Sequence, residues 1–395
     1  MGQETRPMNI QFVTTSLMQG GAELQVYLLA TQLKRRGHEV SVVSMRDPEA
    51  FVDGLQELGI PLHSLAMERG SPDVKAIAKL GNLVRELKPE VVHSHMVHAN
   101  LLARLTRLFA PFSVQVSTAH NLTEGARWRD YAYRLTDPLC DLTTNVCGKC
   151  VERFIQVGAT PANKIRYVPN GLDFSTFKPT PGSHAAKRRE LGVDDSTFLW
   201  LAVGRLEEQK DYPTLFEAVA RLVASFNSAP GPWRGMKFVI AGSGSLEERL
   251  KSSAREAGLD PHVAFLGDRK DVADLMGAAD GYVMSSAWEG LPMVLLEAGA
   301  ARLPAVVTDV GGNREAVTGE AVGALVPSAD AAALASAMTR LMSLGKDELE
   351  QMGQRFREHV EGTFGITRVV ELWEAVYHEL LTRARDGAKP RRWAA

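Results

Sequence analysis

The stretch "NIQFVTTSLMQGGAELQVYLLATQLKRRGHEVSVVS", Asn9 to Ser44, decides the fold. "NIQFVTT" (Asn9 to Thr15) is a short apolar run, Ala22 to Arg36 is a longer amphipathic one, and "HEVSVVS" is short and apolar again. Short strands separated by helices are the signature of βαβ units on a parallel sheet. The alternation continues through "PEVVHSH" (Pro89 to His95), "SVQVSTAH" (Ser113 to His120) and "DLTTNV". It pauses between Lys164 and Glu190, where proline, glycine and charge collect without apolar periodicity, as in an interdomain linker. A second series then runs through "TFLWLAVGR" (Thr197 to Arg205), "KFVIAGSG", "VAFLG", "DGYVMSS" and "PAVVTDVGG". The halves share no sequence period, so the chain reads as two similar α/β folds, each a doubly wound parallel sheet, and not as a repeat array. Ligands of open parallel sheets bind beyond the carboxyl ends of the strands, so two such domains facing one another predict a deep cleft.

The composition agrees and excludes other classes. A chain of 395 residues is long enough for two domains with separate cores. Lys+Arg of 45 against Asp+Glu of 47 leaves a formal charge of −2, so no global field selects nucleic acid. No apolar run reaches the roughly 18 residues of a membrane span. The first residues, "MGQETRPMNIQFV", lack the apolar core of a secretion signal, and a cytoplasmic protein, at most peripheral to a membrane, is expected. Cys140, Cys147 and Cys150 lie close together, the last two as a CxxC after "LTTNV". A helix-start CxxC can be a redox motif. Here the three are read as reduced, small apolar residues, and a zinc site would lack a fourth neighbouring ligand.

"SSAWEGLPMVLLEAGA", Ser285 to Ala300, carries Glu289 and Glu297 eight residues apart. On one helix they would stand about 12 Å apart along the axis, a poor geometry for an acid/base pair. With "DGYVMSS" a strand and Pro292 in the first turn of the next helix, Glu289 becomes a loop residue and Glu297 a helix residue. Free N–H groups of a helix N-terminus lie between them, a natural site for phosphate oxygens. The spacing fits a long ligand: sugar hydroxyls at Glu289, ribose at Glu297 and a diphosphate between. "VGRLEEQKD" adds Arg205, after Gly204 at a strand end, and Lys210 five residues later. A guanidinium and an ammonium can stabilise a departing nucleoside diphosphate without a metal. No two aspartates stand two apart, so the Asp-x-Asp pair often found in enzymes that use a divalent cation for this job is missing, and no metal or other cofactor is expected. In the first half, Gly20 and Gly21 sit between the first strand and helix, where backbone can approach a phosphate or sugar. His120 ends a strand; His93 and His95 end another and are read as packing or hydrogen-bonding residues.

The set "GGAE", "STAHN", "VPNGLD", "VGRLEEQKD", "AGSGSLEERL" and "SSAWEGLPMVLLEA" resembles the retaining glycosyltransferases of family 4, with the GT-B architecture. The similarity runs from about Asn9 to beyond Ala300. It implies two Rossmann-like domains: an acceptor-binding one over 1–178, joined by a terminal helix at about 372–395 that crosses back, and a nucleotide-sugar-binding one over 179–371. It implies Arg205 and Lys210 on the donor diphosphate, Glu289 on donor sugar hydroxyls, and Glu297 on the ribose. Gly290, Leu291, Pro292, Met293 and Val294 would offer backbone, Gly204, Gly242 and Gly244 would lie near the nucleotide, and Gly20 and Gly21 near the donor. His120 would contact the sugar near the reacting centre. Transfer with retention implies attack and departure on one face, so Glu289 is not a covalent nucleophile. The family commonly has serine near Cys147, which makes the CxxC individual to this chain.

The expected donor is a UDP-sugar, on family frequency, and the expected acceptor a saccharide or lipid-linked saccharide of envelope polysaccharide assembly. "NLLARLTRLFAPF" (Asn100 to Phe112) and "ARWRDYAYR" (Ala126 to Arg134) mix arginines with leucine or aromatic residues. Such faces suit an anionic membrane or lipid diphosphate, yet they are read first as core helices with solvated arginines. The same fold also serves nucleotide-sugar epimerases, which need no acceptor. A non-catalytic nucleotide-sugar binding protein is the third class, and it would not need the cationic clamp together with His120.

Overall fold

The computed structural model describes residues 6–68, 74–123, 125–226 and 232–387. The chain divides into two compact units, Met1–Gly171 with Ile366–Ala395, and Leu172–Gly365.

Unit 1 holds β1 (Asn9–Thr14), β2 (Glu39–Ser44), β3 (Leu62–Ser64), β4 (Val91–His95), β5 (Val114–Ala119), β6 (Leu142–Asn145) and β7 (Ile165–Tyr167). They form one sheet in the order β3-β2-β1-β4-β5-β6-β7, every pairing parallel. Parallel sheets are covered on both faces, which is why β4 and β5 are buried at every position. One face packs on helix Gly21–Arg35 and the terminal helix Ile366–Arg385, joining Phe12, Val26, Leu29, Trp373 and Tyr377 in one core. The other packs on helices Lys75–Leu87 and Val97–Thr106. Arg36 and His38 tie the terminal helix down through Glu374, at 2.8 and 2.9 Å.

Unit 2 repeats the architecture with β8 (Thr197–Val203), β9 (Gly235–Ala241), β10 (Val263–Gly267), β11 (Gly281–Met284), β12 (Ala305–Thr308) and β13 (Gly323–Val326). The order is β10-β9-β8-β11-β12-β13, again all parallel. Trp200, Phe198 and Phe238 anchor its core with helices Tyr212–Phe226 and Ala331–Met342.

Three expectations are corrected. The unit boundaries fall at 171/172 and 365/366, ahead of the expected 178/179 and 371/372. Leu172 forms a parallel bridge to Gly365 and donates its N–H to the Phe364 carbonyl, so both strands of the connection leave unit 2 together. The terminal helix accordingly starts at Ile366, after Gly365 ends helix Lys346–Phe364, and 388–395 lie outside the described residues. Second, Lys164 to Glu190 is not a plain linker: it contains β7 and helix Ser183–Glu190. That helix buries only Arg188, which donates to the carbonyls of Ala278, Asp194 and Thr197 and pairs with Asp280, so it has no apolar stripe to read. Third, Cys147 and Cys150 are not reduced: they form a disulfide, and both are fully buried. Cys147 is the N-cap of helix Gly148–Gln156, its sulfur accepting the Cys150 N–H at 3.1 Å, so one helical turn brings the two sulfurs together.

Candidate active site

In unit 2 the candidate residues gather at the carboxyl ends of four adjacent strands, β9, β8, β11 and β12, where open parallel sheets bind ligands. β8 runs out through Gly204 to Arg205, and residues Glu208–Lys210 make one 3-10 turn before helix Tyr212–Phe226. β11 runs out through the loop bearing Glu289 into helix Met293–Ala300. The two exits are sewn together: the Ala287 N–H donates to the Gln209 carbonyl at 2.9 Å, and Ser285 Oγ to the Lys210 carbonyl at 2.8 Å. Lys210 Nζ then meets Glu289 Oε1 at 2.6 Å. Their side chains are 12% and 7% exposed, so the pair is nearly desolvated and both charges depend on it.

Gln209 joins Arg205 to this pair. It accepts from Arg205 Nη2 at 3.2 Å and donates to the Trp288 carbonyl at 3.0 Å and to Glu289 Oε2 at 3.1 Å. Arg205 itself remains exposed, its guanidinium available to an incoming anion. Lys210 lies along Gly204, where an added Cβ would stand 2.8 Å from Lys210 Cε. Gly242, at φ 137°, has its Cα against the Gly204 carbonyl, and Gly244 is pressed against the Leu206 backbone. The three glycines therefore serve first to pack the exits of β8 and β9 closely, with Leu206 exchanging backbone hydrogen bonds with Ser243 and Leu246.

Helix Met293–Ala300 starts one residue later than expected, with Pro292 as its N-cap. Gly290, Leu291, Pro292 and Met293 are buried and Val294 half-buried. Of its opening N–H groups, that of Leu295 donates to the Pro292 carbonyl at 3.1 Å, and those of Met293 and Val294 precede the first carbonyl the helix can offer them. Glu297, one turn in, makes no hydrogen bond or ion pair among the described residues, and burial pushes its carboxyl up to about 7. Glu297 is half-buried, and a carboxyl with part of its surface open and no protein partner is suited to ligand hydroxyls.

Two contributors were not foreseen. Gln209, an uncharged loop residue between Arg205 and Lys210, is one. Gly311, at φ 52°, has its Cα against the Glu289 carbonyl, and the Gly312 N–H donates to the Gly290 carbonyl at 2.6 Å. The signal was present, a glycine pair directly after the strand "PAVVTDV".

In unit 1, His120 leaves β5 and is buried, as are His93 and His95 at the end of β4. His120 Nε2 lies 2.9 Å from His95 Nδ1. Burial lowers His120 to about 4 and holds His93 and His95 well below the usual histidine range, so all three are neutral near pH 7. Gly20 is the exposed N-cap of helix Gly21–Arg35, and Glu23 folds back over it, accepting from Ser16 Oγ at 2.8 Å. Gly21 opens that helix and is also exposed.

Of the two arginine-bearing segments, the first supplies the core helix Val97–Thr106, as expected, but its Arg104 is not solvated, and the second departs from the core role. Arg104 is fully buried, held by Ser117, Thr143, Thr136, the Tyr133 carbonyl and the Tyr133 ring face, while Leu108 and Phe109 are exposed. Helix Trp128–Thr136 buries only Tyr133 and leaves Trp128, Tyr131 and Leu135 at 55%, 58% and 80% exposure. A cavity of about 500 Å³ in unit 2 lies away from all these groups, at the amino ends of β11 and β12 beside Asp280 and Pro304. No helix among the described residues is long and apolar enough to cross a membrane.

Comparison with known proteins gives the family. The model of glycosyl transferases group 1 matches residues 183–359, and that of glycosyltransferase family 4 matches residues 19–176. The chain is 27% identical over 321 residues to the UDP-Gal:alpha-D-GlcNAc-diphosphoundecaprenol alpha-1,3-galactosyltransferase of Escherichia coli, covering 78% of this chain and 80% of that one. It is 28% identical to the D-inositol 3-phosphate glycosyltransferase of Kineococcus radiotolerans, covering 94% of each. The crystal structure of Anabaena HepE in complex with UDP superposes with a TM-score of 0.80 at 22% identity, over 94% of this chain and all of that one. With one family model matching each half and two parallel α/β units of this kind, the chain belongs to the group 1 glycosyltransferases, of the family 4 type, and has the GT-B fold.

Proposed function

We propose that this glycosyltransferase moves a sugar from a UDP-sugar to a hydroxyl of a lipid-linked saccharide, with retention at the anomeric carbon and without a divalent cation. The observation that carries the reading is the Lys210–Glu289 pair with Arg205 beside it, at the carboxyl ends of β8 and β11. As the glycosidic bond to the diphosphate breaks, negative charge grows on the leaving oxygens, and fixed cations stabilise that charge without reorganising. Arg205 and Lys210 take this role. Glu289 aligns Lys210 and accepts hydrogen bonds from sugar hydroxyls. Glu297 receives the ribose hydroxyls, and the N-terminus of helix Met293–Ala300 receives phosphate oxygens. His120 is assigned to the donor sugar, and Gly20 and Gly21 to the close approach of backbone to the donor.

The lipid-linked acceptor is supported by the diphosphoundecaprenol named for the E. coli relative. The exposed face of helix Trp128–Thr136, with Arg127 and Arg134 also exposed, suits the surface of an anionic membrane on its cytoplasmic side. Envelope polysaccharide assembly follows from such an acceptor.

The test is a panel of nucleotide sugars, with and without lipid-linked acceptors and with and without EDTA. Acceptor-dependent, EDTA-insensitive release of UDP and an α product from an α donor are expected. Release of free sugar without an acceptor would instead mark an epimerase or hydrolase.

A further inference from the structure

Resting on the assignment of His120 to the donor sugar, we propose that His95 is the positioning residue for His120, setting its ring orientation and coupling its tautomer to its own through one imidazole–imidazole hydrogen bond. β4 and β5 are neighbouring parallel strands, with His95 opposite Thr118 in the register. His95 is therefore the last residue of β4, and His120 lies two residues past its partner, just beyond β5. The two rings reach each other across the strand exits, with centroids 5.2 Å apart and planes inclined by 28°. His95 Nδ1 and His120 Nε2 stand 2.9 Å apart.

The site around His95 leaves its ring little freedom. It is fully buried, with the His93 ring at 4.1 Å and the Phe12 ring at 5.8 Å between centroids. His93 is itself fixed at both nitrogens, by Tyr377 Oη at 2.6 Å and Thr118 Oγ1 at 2.7 Å. Thr118 in turn meets Thr144 Oγ1 at 2.7 Å. A rigid wall thus backs the one imidazole that holds His120.

A neutral imidazole carries one N–H, and the nitrogen engaged by a partner decides where it sits. Of the two facing nitrogens one must donate and the other accept. If His95 Nδ1 donates, His120 keeps its own proton on Nδ1; if His95 Nδ1 accepts, His120 Nδ1 is bare. His120 Nδ1 has no partner among the described residues. His95 Nε2 has no partner either, so the hydrogen bond ties the tautomer of His120, and with it the way His120 meets a substrate, to the tautomer of His95.

The test is a comparison of His95→Phe, His95→Asn, His120→Ala and the double variant His95→Phe/His120→Ala, each confirmed folded by its melting temperature. Phenylalanine keeps the volume and removes the nitrogen; asparagine returns a polar group near the position of Nδ1. We expect His95→Phe to lower kcat by roughly tenfold or more with donor KM nearly unchanged, and His95→Asn to recover most of the loss. The double variant should be no slower than His120→Ala. Nitrogen NMR of the wild type should show the His95 and His120 rings protonated in a complementary way, one donating across the shared hydrogen bond and the other accepting, and the His120 Nε2 signal should lose its hydrogen-bond shift in His95→Phe. A His95→Phe enzyme with wild-type kcat, or one that matches His95→Asn, overturns the proposal while leaving the function intact. Full activity in His120→Ala overturns instead the assignment of His120 on which it rests.

Discussion

Lys210 and Glu289 form the contact on which the candidate site turns, and its burial makes a two-sided prediction. Removing one member of a pair this desolvated leaves the other charge stranded, at a cost of about 3 kcal/mol or more. Lys210→Met should therefore lower thermal stability sharply, and Lys210→Met/Glu289→Gln should restore much of it without restoring turnover; melting curves of the three proteins decide this. Glu297 supplies a second prediction. Its folded value of about 7 lies above the ordinary 4.5, so the native state holds the proton more tightly than the unfolded chain. Stability is highest while the group is protonated in both states and falls as pH rises from about 4.5 to about 7, by something of order 3 kcal/mol. Glu297→Gln should abolish that decline, and denaturant titrations at pH 5 and pH 8 measure it. The sequence exposed Arg205, Lys210, Glu289 and Glu297 because each is a charged residue next to a strand end or helix start. Gln209 was hidden because an uncharged side chain in a loop has no pattern, and its bridging role exists only once two loops are brought together.

At the scale of elements, the tight exits of the unit 2 strands depend on glycines that admit no side chain. A Cβ on Gly242 would run into the Gly204 carbonyl, and one on Gly311 into the carbonyl of Glu289, each also at a positive φ. Gly242→Ala and Gly311→Ala should each cost roughly 2 kcal/mol or more and weaken UDP binding. At Gly20 the obstacle is only the end of the Glu23 side chain, which can swing away, so Gly20→Ala should leave the melting temperature nearly unchanged. Thermal melts with and without UDP separate these outcomes. The Cys147–Cys150 disulfide closes a very short loop, and its reduction should lower stability by about 2 kcal/mol, seen as a melting shift with dithiothreitol. The alternation of strand and helix was legible because strands buried on both faces are short runs rich in apolar and β-branched residues, even though β4, β5 and β6 also bury polar ones such as His93, Gln115 and Thr143. β7 escaped because three residues carry too little pattern, and helix Ser183–Glu190 because its one buried residue is an arginine. The disulfide escaped because the CxxC spacing is the same whether the thiols are free or joined.

At the scale of the molecule, unit 2 is one continuous segment and unit 1 is assembled from two. Unit 1 draws Ile366, Val369, Val370, Trp373, Val376, Tyr377, Leu380 and Leu381 of the terminal helix into its core. At roughly 1.5–3 kcal/mol for each buried side chain, losing them removes about 12–24 kcal/mol, comparable to or above the roughly 5–15 kcal/mol by which a domain is stable. A chain ended at Gly365 should therefore fail to fold its first unit, whereas Leu172–Gly365 alone should melt cooperatively and bind UDP; circular dichroism and calorimetry of the two fragments check both. The two-unit plan was readable in two series of strands, but its boundaries were not. They are fixed by the pairing of Leu172 with Gly365, between residues far apart in the chain.

The central claim, that fixed cations of unit 2 take up the charge of a departing diphosphate, is tested most directly by Lys210→Ala. Its single-turnover rate of sugar transfer should be compared with its affinity for UDP. The rate should fall by a factor of order 10² to 10³ while UDP affinity falls far less, because the ammonium acts mainly on charge that appears as the bond breaks. An equal loss in rate and in affinity, or a rate close to that of the wild type, would contradict it.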